Sequence, residues 1–185
     1  MEEFIKLKLP NIFQSPFVFL LFFLGLGCND LKQDLKTNTN PIVSTFYLIR
    51  HSEKDRSNPE NLDPELNQDG LGRAMKWAEI LDPVPIDVIY STNYERTTMT
   101  AAPTSVKKDI DVKYYDPNSL DIEEFKTQNE GLNVLVVGHS NTTPELVNKL
   151  LGIDKYDQME DDDNGSLFIV RITDGKTTDF HLNMD

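Results

Sequence analysis

Apolar and polar positions alternate along the chain in a way that predicts strands and helices in turn from Thr45 onward. Phe46-Tyr47-Leu48-Ile49 is a short apolar run, the pattern of a buried strand. Gly70 to Leu81 carries Leu71, Ala74, Met75, Ala78 and Leu81 at helical spacing and predicts an amphipathic helix, in which Trp77 reads as packing. Val88-Ile89-Tyr90 predicts a second strand, followed by a polar turn and a helix from about Tyr94 to Ala102 that Pro103 would end. Val112 to Tyr115 is a third strand, Ile122 to Gln128 a short helix, and Leu132 to Val137 the most convincing strand. Pro144 to Leu151 is a helix with proline near its start and Gly152 as its cap. Leu167 to Ile172 and Thr178 to Leu182 form a closing pair around a turn at Asp174-Gly175. This order implies an α/β domain, a three-layer α/β/α sandwich with a largely parallel central sheet. Ligands of such sheets bind beyond the carboxyl ends of the strands.

The chain upstream is of a different kind. Phe17 to Leu26 is uninterrupted and apolar, too short for a membrane span of about 20 residues and suited to a signal-peptide core. It ends in Gly25-Leu26-Gly27-Cys28, with the chain's single cysteine. Small residues before a lone cysteine resemble a bacterial lipoprotein signal, which implies lipidation at Cys28; a plain cleaved signal or an uncleaved anchor with a free thiol are the alternatives. Residues 29–43 are polar and aperiodic, a tether. The organisation expected is an export segment over 1–28, a tether over 29–43 and one domain over 44–185, exported and held at a bacterial membrane through Cys28. With one cysteine, no intramolecular disulfide is available, so the core alone must hold the domain.

Charge narrows the partners. The formal net charge is -13, and the charges at Glu2, Glu3, Lys6 and Lys8 cancel, so the excess lies on the folded part. A domain this acidic lacks the basic surface that nucleic acid needs. Any phosphate site in it must be a small basic pocket.

Two of the three histidines occupy equivalent places. Phe46-Tyr47-Leu48-Ile49-Arg50-His51 puts His51 just past the first strand, and Val134-Leu135-Val136-Val137-Gly138-His139 puts His139 just past the strongest one. The strand at 88–90 leads through Ser91-Thr92-Asn93-Tyr94-Glu95 to Arg96. If the strands are parallel neighbours, two arginines and two histidines meet at one sheet edge. A lone histidine there would more simply be a polar cap on its strand; two in matching places favour a site.

These residues also carry a resemblance. Leu48-Ile49-Arg50-His51-Ser52-Glu53 resembles the Arg-His-Gly signature of the histidine phosphatase superfamily, and Glu65 through Gly70 its Leu-Thr-x-x-Gly lead into the first helix. Ser91 through Arg96 to Thr100-Ala101 is similar to its Ser-x-x-x-Arg-x-x-x-Thr-Ala segment, and Val137-Gly138-His139-Ser140 to its second-histidine motif. The similarity runs in order from about Thr45 to Leu151. It implies a metal-independent phosphatase without cofactor, acting on a small phosphorylated substrate or phosphoprotein, with His51 as the nucleophile that becomes phosphohistidine. Arg50, Arg96 and a protonated His139 would complete the phosphate site, since a guanidinium binds phosphate in bidentate fashion and stays charged.

The general acid is not singled out. Asp116, Asp121, Glu123 and Glu124 lie in a suitable stretch, and Glu53 and Glu145 flank the histidine motifs. A substrate with a good leaving group, such as phosphohistidine or an acyl phosphate, needs little acid catalysis. Asn141 either orients a group in the pocket or begins the next helix. Asp157 and Glu160-Asp161-Asp162-Asp163 lack a calcium-loop spacing and read as a solvated connection. His181 reads as exposed on a terminal strand. A phospho-ligand-binding protein without turnover and a zinc hydrolase built on His51 and His139 are the rivals; mutases of the family generally carry longer insertions.

Overall fold

A computed structural model describes residues 40–184. The export segment, residues 29–39 of the tether and Cys28 lie outside the described residues. The elements are β1 (Val43–Arg50), α1 (Gln68–Ile80), β2 (Val88–Ser91), α2 (Glu95–Lys108), β3 (Val112–Tyr114), α3 (Ile122–Gln128), β4 (Asn133–Gly138), α4 (Thr142–Leu151), β5 (Ser166–Thr173) and β6 (Lys176–Asn183). They build one six-stranded sheet in the order β3-β2-β4-β1-β5-β6. The first four strands run parallel, and β5 and β6 are antiparallel additions.

Alternation along the strands divides the core into two layers. Phe46, Leu48, Val134 and Val136 point to one side, where they pack on Phe125 of α3 and on Leu146, Val147 and Leu150 of α4. Ile49, Ile89, Leu135 and Val137 point to the other, against Trp77 of α1, Leu81 at its end and Ala101 of α2. Each fully buried aliphatic side chain contributes roughly 2 kcal/mol over its exposed state. Trp77 is core, as its place in the helical pattern implies. Helices therefore cover both faces of the sheet, as predicted.

Local rules account for most element ends. Asn67 caps α1 by accepting from the Gly70 amide at 2.9 Å, so the helix begins two residues before its predicted start. Gly70 itself lies against the loop that follows β1: a Cβ there would sit 2.1 Å from the Glu53 carbonyl oxygen. Gly152 ends α4 in the left-handed conformation (φ 73°). Asp174 and Gly175 both have positive φ (48° and 77°), the geometry of a two-residue hairpin turn that matches strand twist.

One expected boundary is wrong. α2 does not stop before Pro103 but continues to Lys108. Proline removes one helical hydrogen bond, yet Ala101 and Thr104 on either side of it are buried. Ending the helix there would give up that packing. Lys107 and Lys108 then meet the negative end of the helix dipole.

Candidate active site

The sheet levels the chemistry-bearing residues at one edge. Arg50 pairs with Gly138 across β1 and β4, and Ser91 pairs with Val137 across β2 and β4. Backbone hydrogen bonding continues one step further, from the His51 amide to the Gly138 carbonyl at 2.9 Å. His51, His139 and the loop leading to Arg96 thus leave the sheet together. The imidazoles of His51 and His139 lie with ring centroids 5.4 Å apart, edge to face.

His51 is 4% exposed, and its Nδ1 lies 2.7 Å from the Ser52 carbonyl oxygen. A carbonyl only accepts, so Nδ1 carries the proton and Nε2 keeps its lone pair. Burial pushes the imidazole from its ordinary 6.5 down to about 3, outweighing the Ser52 carbonyl that holds its proton; Arg50, His139 and Arg96 lower it further. His51 is a neutral imidazole across the physiological range.

His139 is bonded at Nε2 to Thr92 Oγ1 (2.9 Å). The Thr92 hydroxyl donates to Thr97 Oγ1 (3.0 Å), so Thr92 accepts from His139 and its Nε2 bears a proton. Burial, Arg96 and Arg50 bring His139 down to about 4. It is neutral in these surroundings and not protonated as expected from the resemblance, because burial, and then the adjacent arginines, penalise a positive charge.

The two arginines are held differently. Arg50 is 3% exposed; its Nη1 donates to the Glu160 and Asp163 carbonyls (2.8 and 3.1 Å) and its Nη2 to Asp161 Oδ1 (3.2 Å). Arg96 donates from Nη1 to Asp63 Oδ1 at 3.2 Å and lies 4.5 Å from the centre of the Tyr94 ring. Its neighbour Glu95 donates its amide to the same Asp63 carboxylate (3.0 and 3.3 Å), so Asp63 caps α2 from a distant loop.

Arg50, His51, Arg96 and His139 line one cavity of about 550 Å³, together with Lys54, Thr92, Tyr94, Asn141, Asp116 and Asp161. An adjoining cavity of about 670 Å³ shares Arg50, His51, Lys54 and Asp161 and reaches Arg56 and Glu53. Three cations around the first cavity and a fourth beside the second make the basic pocket that an acidic phosphate-handling domain requires.

Few of the acid candidates reach that pocket. Asp116 lines it but uses both oxygens in its own turn, accepting from Asn118 (2.9 Å to the amide) and Ser119 (3.2 Å). Glu53 turns to Arg73, at 2.8 Å. Glu123 pairs with Lys126, Glu124 bonds Gln128 beside a separate cavity, Asp121 caps α3 and Glu145 pairs with Lys149. Neither Glu123 nor Glu124 lines the cavity around His51. Asn141 precedes α4 as its cap residue without a side-chain cap bond.

The acidic connection is more than a solvated link. Its backbone and Asp161 hold Arg50, Asn164 donates from Nδ2 to the His51 carbonyl (2.8 Å), and the Met159 amide donates to the Ser140 carbonyl (2.9 Å). Asp63, Thr92, Lys54 and Asn164 also escaped the sequence reading. His181 is exposed, as expected, but stacks on Phe168, with centroids 4.3 Å apart, and its Nε2 lies 2.8 Å from Ser166 Oγ. Among the described residues, no three His, Cys, Asp or Glu side chains gather as a metal site.

The model of the histidine phosphatase superfamily (branch 1) matches residues 46–117, the span that delivers Arg50, His51 and Arg96. Over that span the chain is similar to the histidine phosphatase superfamily. His139 lies beyond the matched span, and the fold itself carries it to His51. The match supports a phosphatase activity. Solved structures with the same fold include a phosphoserine phosphatase from Entamoeba histolytica (16% identity, TM-score 0.60, covering 75% of this chain and 96% of that one). The alpha-ribazole phosphatase of Shigella flexneri is similar at 18% identity and TM-score 0.58, with the same coverage of 75% and 96%. The protein histidine phosphatase SixA, solved with tungstate, is similar at 16% identity and TM-score 0.59, again covering 75% and 96%. Comparison with curated protein sequences gives no match.

Proposed function

We propose that this chain is a metal-independent phosphatase that hydrolyses a phosphomonoester or similar small phospho-group through a phosphohistidine on His51. The observation that carries the proposal is the locked tautomer of His51: Nδ1 is committed to the Ser52 carbonyl, leaving the Nε2 lone pair in a pocket lined by Arg50, Arg96 and His139. Nε2 attacks phosphorus, the bond from phosphorus to the leaving oxygen or nitrogen breaks, and the leaving group takes a proton. Water then attacks the phosphohistidine, the P–N bond breaks, and inorganic phosphate departs.

The transferring group spreads negative charge over its equatorial oxygens, and fixed donors around it supply the stabilisation. Arg50 and Arg96 are such donors; the Nε2–H of His139 is held by Thr92 Oγ1, so His139 adds a donor, at Nδ1, only when it is protonated. A phosphate dianion also offsets the positive field that depresses His139, so the imidazole gains a proton more readily beside substrate than without it. Asp116, with both oxygens engaged by donors, is poorly set to act as an acid. That favours phospho-groups on good leaving groups, such as phosphohistidine or acyl phosphates, over simple alkyl esters.

The test is hydrolysis of an aryl phosphate by the full chain in the presence of chelator, wild type against His51→Ala. Turnover is expected to fall by about 10³-fold or more in the variant, the cost of losing a nucleophile, and an acid-labile phosphoenzyme is expected on rapid quench of the wild type. Equal turnover in both would remove His51 as nucleophile. Phosphate binding without turnover by the folded wild type would replace this reading with that of a phospho-ligand-binding protein.

A further inference from the structure

A guanidinium has five N–H donors, and those of Arg50 are unequally committed. Both Nη1 hydrogens go to backbone carbonyls, of Glu160 and Asp163, which fixes the group in place. The edge left for an anion is Nε and Nη2. Nε is buried without a hydrogen-bond partner among the described residues, while Nη2 donates one of its two hydrogens to Asp161. A bidentate phosphate needs that same edge.

Asp161 is not required to position Arg50, since the carbonyls do so. Its side chain is 72% exposed, and its second oxygen lies 2.8 Å from Arg56 Nη2, a shorter contact than the 3.2 Å to Arg50. The carboxylate can release Arg50 and keep a partner. It lines both cavities, at the seam between them.

We propose that Asp161 is an affinity-setting residue, an internal carboxylate that occupies the anion edge of Arg50 and must yield it to the phosphoryl group. Resting on the phosphatase reading, this makes Asp161 a competitor of substrate and product alike: it weakens the pocket's hold on inorganic phosphate and hastens product release. Arg56 is the berth to which it moves.

The test is titration of the full chain with inorganic phosphate by calorimetry, beside KM and product inhibition on an aryl phosphate. In Asp161→Asn, phosphate is expected to bind about five- to tenfold more tightly, the scale of one charge-assisted contact near solvent, with KM falling alongside. Unchanged or weaker binding in the folded variant would overturn the proposal. Arg56→Gln is expected to weaken phosphate binding in the wild type, by returning Asp161 to Arg50, and to do little in the Asp161→Asn background. Equal weakening in both backgrounds would make Arg56 a direct phosphate ligand and overturn the exchange. Calorimetry needs no turnover, so tighter binding in a chain that hydrolyses nothing would keep this inference and sink the phosphatase reading.

Discussion

The two sides of the pocket place the same pair, an arginine facing an aspartate from a distant loop, in different settings. On the α2 side, Asp63 accepts from Arg96 and also from the Glu95 amide, so one carboxylate caps a helix and steadies a guanidinium. On the β1 side, Asp161 meets two guanidiniums, and Arg50 is already fixed by backbone carbonyls. Exposure follows the difference, at 43% for Asp63 and 72% for Asp161. An aspartate tied to backbone is a support. One tied only to cations is an exchangeable counter-ion, and an ion-pair distance alone does not tell the two apart.

The comparison is broken most severely by removing the arginines themselves. Arg50→Gln and Arg96→Gln are each expected to lower kcat by about 10²–10³, the usual cost of a transition-state donor. They should differ in stability. Arg50→Gln leaves the Glu160 and Asp163 carbonyls without their donor, whereas Arg96→Gln frees an aspartate that still caps α2. Thermal melting should therefore drop by several degrees in the first variant and little in the second. Equal melting points would mean that the strap at 160–163 does not depend on Arg50.

Next in size is the contrast between the aspartates. Asp63→Ala removes a helix cap, at about 1 kcal/mol, and loosens Arg96, so kcat/KM is expected to fall about tenfold. Asp161→Asn should move KM the other way. Steady-state kinetics on both variants decide the matter, and a change of the same sign in both would erase the distinction.

An effect on stability alone lies in the histidines between the two sides. In the folded chain they titrate at about 3 (His51) and about 4 (His139), against an ordinary 6.5. Between 6.5 and 4 the unfolded chain therefore binds more protons than the folded one, and stability falls as pH falls through that window. Urea midpoints should decline less steeply over this range in a His51→Ala, His139→Ala double variant than in the wild type. Parallel slopes would show that burial does not shift these groups.

What could be read from the sequence was what short-range pattern encodes. β1, β4 and the β5–β6 turn follow from apolar runs and turn residues, and the strand ends then bring Arg50, His51, Arg96 and His139 to one edge without further information. The counter-ions were not legible. Asp161 lies 111 residues from Arg50 and Asp63 33 from Arg96, and in a chain with 31 acids nothing local marks which ones return. The general acid stayed open for the same reason, and three-dimensional placement removed Glu123 and Glu124 from contention. α2 shows the limit of a local rule: proline predicts a stop, but burial of Ala101 and Thr104 carries the helix past it.

The position of β1 in the sheet has a consequence for how the protein is made. Among the described residues β1 is the first strand synthesised, and it lies between β4 and β5, pairing Thr45 with Asn133 and Phe46 with Val170. Its nearer partner leaves the ribosome about ninety residues later, roughly 5 to 18 s at ordinary rates of synthesis. Through that interval Phe46, Leu48 and Ile49, all buried in the finished fold, have no strand to pair with. The nucleophile directly after them cannot be assembled until most of the chain has emerged, so a truncated nascent chain carries the Arg-His motif without a pocket.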